Sequence, residues 1–195
     1  MSPKEWVNDL EYLNKRIQKE FVSFDTLVKG NFDKGIQRLK KELQSEASLI
    51  DNNTMVYRIM QLMAGLKDGH TELQVFGSDL NFKRLPIIFY YFEEGLYILG
   101  AHDYLKEHIG KQVINIGGVP VNEIIGRLRG LIAHDNEYEL YHSLPSYLIS
   151  PRAMKYMGLT NTIDAADFNL KNEQGEIESI NIRALEITEY VNGNW

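Results

Sequence analysis

Apolar residues recur every three or four positions through the first third of the chain, and every second position through much of the rest. Trp6, Leu10, Leu13 and Ile17 mark one face of a helix. Ser2-Pro3 ahead of them offers an N-cap followed by proline at the first helical position. Phe32, Ile36, Leu39, Leu43 and Ile50 repeat the pattern, with Asn31 as the expected cap and the charged run RLKKEL as a solvated face. Met55, Val56, Ile59, Met60, Leu62, Met63 and Leu66 are apolar almost all round, which predicts a central third helix opened by Asn53 or Thr54. Its methionines read as core filler.

Asp68-Gly69 is expected to stop that helix. Thr71, Leu73 and Val75 then alternate with Glu72, Gln74 and Phe76, the period of a strand, which sets His70 on the face opposite Leu73 and Val75. Leu85–Phe92 and Leu96–Ala101 flank a Glu-Glu-Gly turn and predict a hairpin, with Pro86 at the start or edge of a strand. KQVINIGGVPV predicts a strand, a Gly117-Gly118 turn and a short extended piece. Asn122 is the expected cap of a helix carrying Val121, Ile125, Leu128 and Ile132. The stretch from Asn136 to Leu159 reads as helical, broken near Pro145 and Pro151, and DFNLKNEQGEIESINIRAL as two strands joined at Asn172–Gly175. The fold class is therefore α+β. The chain closes on EITEYVNGNW, where nothing is expected to cap or close a domain, and Trp195 suggests a cut end.

Composition narrows the function without naming it. The 195 residues are 44% hydrophobic and 25% charged, enough to bury a core. Net charge is −6, and the 21 basic residues form no stripe or block, so nucleic acid is not an expected partner. No apolar run approaches the roughly 18–20 residues of a membrane span. The amphipathic, charged start is not a signal peptide. With no cysteine, disulfides, zinc thiolates and cysteine nucleophiles are excluded. No phosphate loop, HExxH pair or calcium loop occurs.

His70 is the leading chemical candidate. An imidazole can act as a base near neutral pH, and Gly69 permits a tight corner beneath it. The plain alternative is an incidental surface histidine after a helix stop. His102, His108, His134 and His142 have no metal-ligand spacing; His134 and His142 lie eight residues apart, roughly 12 Å of rise on one helix. None of the nine serines sits in a G-x-S-x-G elbow or an S-x-x-K arrangement, so no Ser/His/acid set is visible.

Taken in order, WVNDLEYLNKRI, MQLMAGLKDGHTEL, LPIIFYYFEEGLYIL and IGKQVINIGGVPVNEII resemble the amino-terminal half of the tail-specific, or C-terminal-processing, serine peptidases, especially their tricorn-like branch. The most specific piece is Asp68-Gly69-His70-Thr71. GKQVINIGGVPV resembles the part of the family's PDZ-like domain that usually reads Gly-Asp-x-Ile-x-x-Ile-Asn-Gly-x-x-Val; here Lys111 replaces the aspartate and Gly117 the asparagine. The resemblance implies hydrolysis of short peptides or of protein C-termini without a cofactor. In the tricorn-like branch the corner histidine, matched by His70, is the general base for a serine. In the other branch a lysine takes that role and the histidine is structural. In both, the serine and its oxyanion hole follow the PDZ-like region, in a catalytic core expected to be absent here.

The resulting expectation is a helical amino-terminal region over 1–79 ending in a strand, with a boundary near Gly77–Phe82. A mixed β/α PDZ-like domain follows over 80–195. The chain alone is expected to be inactive, and the intact protein to work outside the cytoplasm. The rival expectation is a non-catalytic binding module that takes an extended peptide by strand addition at a sheet edge.

Overall fold

A computed structural model describes residues 1–21, 26–45, 50–74 and 83–195. The chain divides into two compact units, one of residues 1–73 with 130–135 and one of residues 74–129 with 136–195. The expected boundary at Gly77–Phe82 lies outside the described residues. The division is not a single cut, because Gly130–Asp135 groups with the helices.

In the first unit, α1 (Pro3–Glu20), α2 (Thr26–Gln44) and α3 (Asn52–Ala64) are the three expected helices. The start of α1 is a full capping box: the Ser2 hydroxyl accepts the Glu5 N–H, and the Ser2 N–H donates to the Glu5 carboxylate at 2.6 Å. Two starts differ from expectation. Asn31 lies inside α2, because Val28 packs on the core and extends the apolar face one turn earlier. The cap of α3 is Asp51, whose carboxylate accepts the Thr54 N–H at 2.7 Å. Leu10, Ile36 and Met55 are fully buried where the three helices meet, and the Trp6 indole N–H reaches Asn52 Oδ1 at 2.9 Å, tying α1 to α3.

The helix also ends before Asp68-Gly69: Gly65 is its C-cap, and Lys67 takes a left-handed φ of 56°. Residues 71–74 do not pair as a strand. Leu73 packs on the helical core instead, and burial of that side chain outweighs the alternating pattern. Val75 and Phe76, the rest of the expected strand, lie outside the described residues.

The second unit holds a six-stranded sheet whose pairings are all antiparallel. The strands are β1 (Ile87–Phe92), β2 (Gly95–Ala101), β3 (Gln112–Ile116), β4 (Val119–Pro120), β5 (Ala165–Lys171) and β6 (Ile177–Arg183). Their order is β1-β2-β3-β5-β6, with β4 folded back on β3. A short 3₁₀ helix covers Asp103–His108. The helices are α4 (Val121–Arg129), α5 (Glu137–Leu148), α6 (Pro151–Tyr156) and α7 (Ile187–Asn192). The described residues thus form an α+β chain, helices first and sheet second.

The turn between β3 and β4 needs its glycines. Gly117 and Gly118 have φ of 58° and 79°, the left-handed pair of a two-residue hairpin. A Cβ on Gly117 would also overlap the Leu159 carbonyl, so this geometry has no room for the asparagine of the family pattern. Lys111, the other departure, donates to Glu178 Oε1 at 2.6 Å, and His108 Nδ1 lies 2.8 Å from the same oxygen. The Lys111 bond, then the His108 contact, hold the Glu178 carboxyl below its usual range.

Other expected details shift. Asn122 lies inside α4, which starts at Val121 and ends before Ile132. Pro145 does not break α5; the buried Leu144, Tyr147 and Leu148 hold one further turn. The break comes at Ile149-Ser150, where Ser150 caps α6 and Pro151 takes its first position. The chain's end does carry a cap and local contacts that the sequence did not suggest, although α7 buries no residue and Trp195 stays 40% exposed. α7 carries a Glu186/Glu189 capping box, and the Trp195 ring meets His102 edge-on at 4.8 Å while its N–H donates to the Tyr190 carbonyl at 3.1 Å.

Candidate functional site

The corner at residues 67–71 is built from carboxylates and backbone N–H groups. Once Lys67 has turned the chain, Asp68 Oδ1 accepts the His70 N–H at 3.0 Å and Asp68 Oδ2 accepts the Thr71 hydroxyl at 2.7 Å. The Thr71 N–H returns to the Asp68 carbonyl at 3.1 Å. An aspartate closing its own turn in this way is a local device the sequence can encode. The Thr71 hydroxyl, then the His70 N–H, hold the Asp68 carboxyl below its ordinary value. One further bond comes from far along the chain: the Gly69 N–H donates to Asp135 Oδ1 at 2.8 Å.

His70 itself is exposed, and its ring makes no hydrogen bond among the described residues. Asp68 therefore holds the backbone of His70 and leaves the imidazole open to solvent. Asp135 was missed by sequence reasoning, because nothing near it in the chain announces a partner 66 positions away.

The remaining histidines do not join this corner. His102 is buried beneath Trp195, and its Nε2 has no hydrogen-bond partner. His108 is buried on Glu178. His134 Nδ1 lies 2.7 Å from the Ile132 carbonyl. His142 is on α5, stacked on Tyr138. Among the described residues no serine hydroxyl is hydrogen-bonded to a histidine, and no cluster of His, Asp and Glu could hold a metal ion.

A second feature lies wholly within the sheet unit. β1 is an edge strand, and α5 runs beside it. Between them is a groove of about 840 Å³ whose walls include Tyr90, Tyr91, Phe92, Tyr138 and Tyr141. Tyr91 and Tyr141 stack across it at 4.6 Å, and Tyr90 lies 4.5 Å from Phe92. Burial raises the Tyr91 phenol above its ordinary pKa. The sequence signal was present in the aromatic density of FYYF and EYELY, but the pairing of those two segments was not.

No family model matches the chain, and no curated protein matches it. Solved structures do. Mature CPAF, a chlamydial serine protease, in complex with lactacystin matches at a TM-score of 0.67 and 14% identity, over 95% of this chain and 35% of that one. A serine-to-alanine variant of CPAF matches at 0.68 and 15%, over 95% and 34%. Mature CPAF alone matches at 0.64 and 14%, over 95% and 35%. What is shared at this identity is the fold, and the chain spans about a third of the length of those structures.

Proposed function

We propose that this chain is part of a serine-type peptidase of the tail-specific class, with His70 as its general base. The observation that carries the reading is the likeness of fold to CPAF over 95% of the chain, and the open ring of His70 on a backbone-locked corner agrees with it. In the proposed step, a serine supplied by the intact protein loses its hydroxyl proton to a nitrogen of His70 as its oxygen attacks the peptide carbonyl carbon. The tetrahedral intermediate collapses with cleavage of the C–N bond, and the imidazolium returns the proton to the leaving amine. Water then hydrolyses the acyl ester by the same proton path. A locked backbone serves this chemistry because the base must stay within hydrogen-bond reach of the hydroxyl. The substrates are peptides or protein C-termini, met outside the cytoplasm, and the isolated chain is inactive.

The test is peptide hydrolysis by the natural full-length gene product. His70→Ala lowers turnover about 10²–10⁴-fold with an unchanged circular dichroism spectrum. Wild-type turnover in that variant would return His70 to a structural role. A gene that stops soon after Trp195 would end the peptidase reading altogether. The groove on β1 favours a second role, peptide binding, whatever the catalytic outcome.

A further inference from the structure

The groove between β1 and α5 has a polarity that constrains its occupant. In the hairpin, Phe92 pairs with Gly95 across a two-residue turn and Tyr90 pairs with Tyr97. Closely spaced hydrogen-bonded pairs alternate along an antiparallel ladder. The N–H and C=O groups of Phe92 and Tyr90 therefore face β2, and those of Tyr91 and Phe89 turn away from it. β1 has no second strand partner among the described residues, so those outward groups form a template for an extended segment. The groove's volume, about 840 Å³, is within the roughly 300–1,000 Å³ typical of ligand sites.

The walls decide which side chain such a segment brings. The rings of Tyr90, Phe92, Tyr138 and Tyr141 present π faces and edges, and a π face attracts a cation. Glu93 lines the same groove, is exposed, and forms no ion pair among the described residues. The other lining carboxylate, Glu137, is held by both terminal nitrogens of Arg129, one of them at 2.8 Å. The nearby guanidinium is thus already neutralised. A peptide's terminal carboxylate would find no lysine or arginine among the lining residues, only the His142 ring stacked on Tyr138, and would face Glu93. The chain's net charge of −6 adds a field of the same sign.

We infer that this groove holds an extended peptide segment through a lysine or arginine side chain, taken along its length rather than by a free carboxyl terminus. The cation lies against the tyrosine rings with Glu93 as its counter-ion, and the segment's backbone pairs with Tyr91 and Phe89.

The test is fluorescence anisotropy with the 195-residue protein and three labelled peptides of alternating valine and threonine. One has a central lysine and a blocked, amidated end. The second carries glutamate in place of the lysine. The third keeps the lysine and has a free carboxyl terminus. The amidated lysine peptide binds saturably below millimolar concentration. The glutamate peptide is about tenfold weaker or worse, from the lost cation–π contact and the repulsion by Glu93. The free carboxylate adds no affinity. Glu93→Gln shrinks the lysine preference to about threefold or less, and Tyr141→Ala weakens the lysine peptide with an unchanged circular dichroism spectrum. Equal binding of lysine and glutamate peptides, tighter binding of the free carboxylate, or no binding at millimolar peptide would each overturn the inference. The assay has no hydrolytic step and reads binding by the chain alone, so its failure is separable from failure of the peptidase reading.

Discussion

His70 stands on a corner fixed by hydrogen bonds to Asp68 and Asp135, whereas the groove on β1 is walled by rings that meet through stacking and edge contacts. The corner buries little and specifies a direction. The groove offers apolar area beside an exposed strand edge and Glu93, a carboxylate with no ion pair among the described residues. Hydrogen bonds to a backbone N–H have narrow distance and angle requirements, so they suit a group that must be aimed. Aromatic surface is tolerant of geometry and gains with contact area, so it suits a site that must accommodate a segment of chain. Under the proposed roles, each unit uses the interaction matched to its task.

The largest expected effect separates the groove's scaffold from its lining. Phe168 on β5 is 1% exposed and lies 5.9 Å from Phe89 of β1. Phe168→Ala should cost about 3–5 kcal/mol in urea denaturation, from lost burial and the cavity left behind. Tyr138, which lines the groove at 79% exposure, should change stability by no more than about 0.5 kcal/mol when replaced by alanine. A large loss at Tyr138 would mean that the lining is itself core, and the contrast between area for folding and area for binding would fail.

A smaller effect probes the corner. Asp68→Ala removes the acceptor of both the His70 N–H and the Thr71 hydroxyl. It should cost about 1 kcal/mol, as loss of a local carboxylate cap does. The readout is amide exchange, which should quicken at His70 and Thr71. Acid should act in the same place. The Asp68 carboxyl is held below its ordinary value by the folded corner, so its contribution is complete above the unfolded value, about pH 3.9. That contribution is lost as pH falls through the lower folded value. Protection at His70 that decayed well above pH 4 would show that Asp68 does not hold the turn.

These two regions were not equally legible in the sequence. The three helices, the hairpin at β1–β2 and the β5–β6 pair follow from periodicity and turn residues, because their determinants lie within a few positions of one another. Helix starts were read less well. At Asn31 a good capping residue was overruled by Val28 packing a turn earlier, and at Pro145 a helix breaker was overruled by buried Leu148. In both places tertiary burial outweighs a local preference of about 1 kcal/mol or more. At the corner, Asp68-Gly69-His70 could be singled out, but Asp135 could not. The groove was the harder case: Tyr91 and Tyr141 are fifty positions apart, and no local pattern brings them together.

The smallest effect asks whether a helix of the sheet unit is set by packing alone. α4 buries Val121, Ile124, Ile125 and Leu128. Gly126 lies on its exposed side, and a methyl group added there would meet no side chain or neighbouring element within 4 Å. Glycine in a helix interior is less favourable than alanine by roughly 0.5–1 kcal/mol, because the unfolded chain gives up more freedom. Gly126→Ala should therefore raise stability by about that amount, with no change in the urea m-value. If packing already saturates the preference of α4 for the helix, the gain still appears, since it arises in the unfolded state. A loss on this substitution would mean that the exposed side of α4 is kept small because other groups come close to it, and that α4 is not set by packing of its buried face alone.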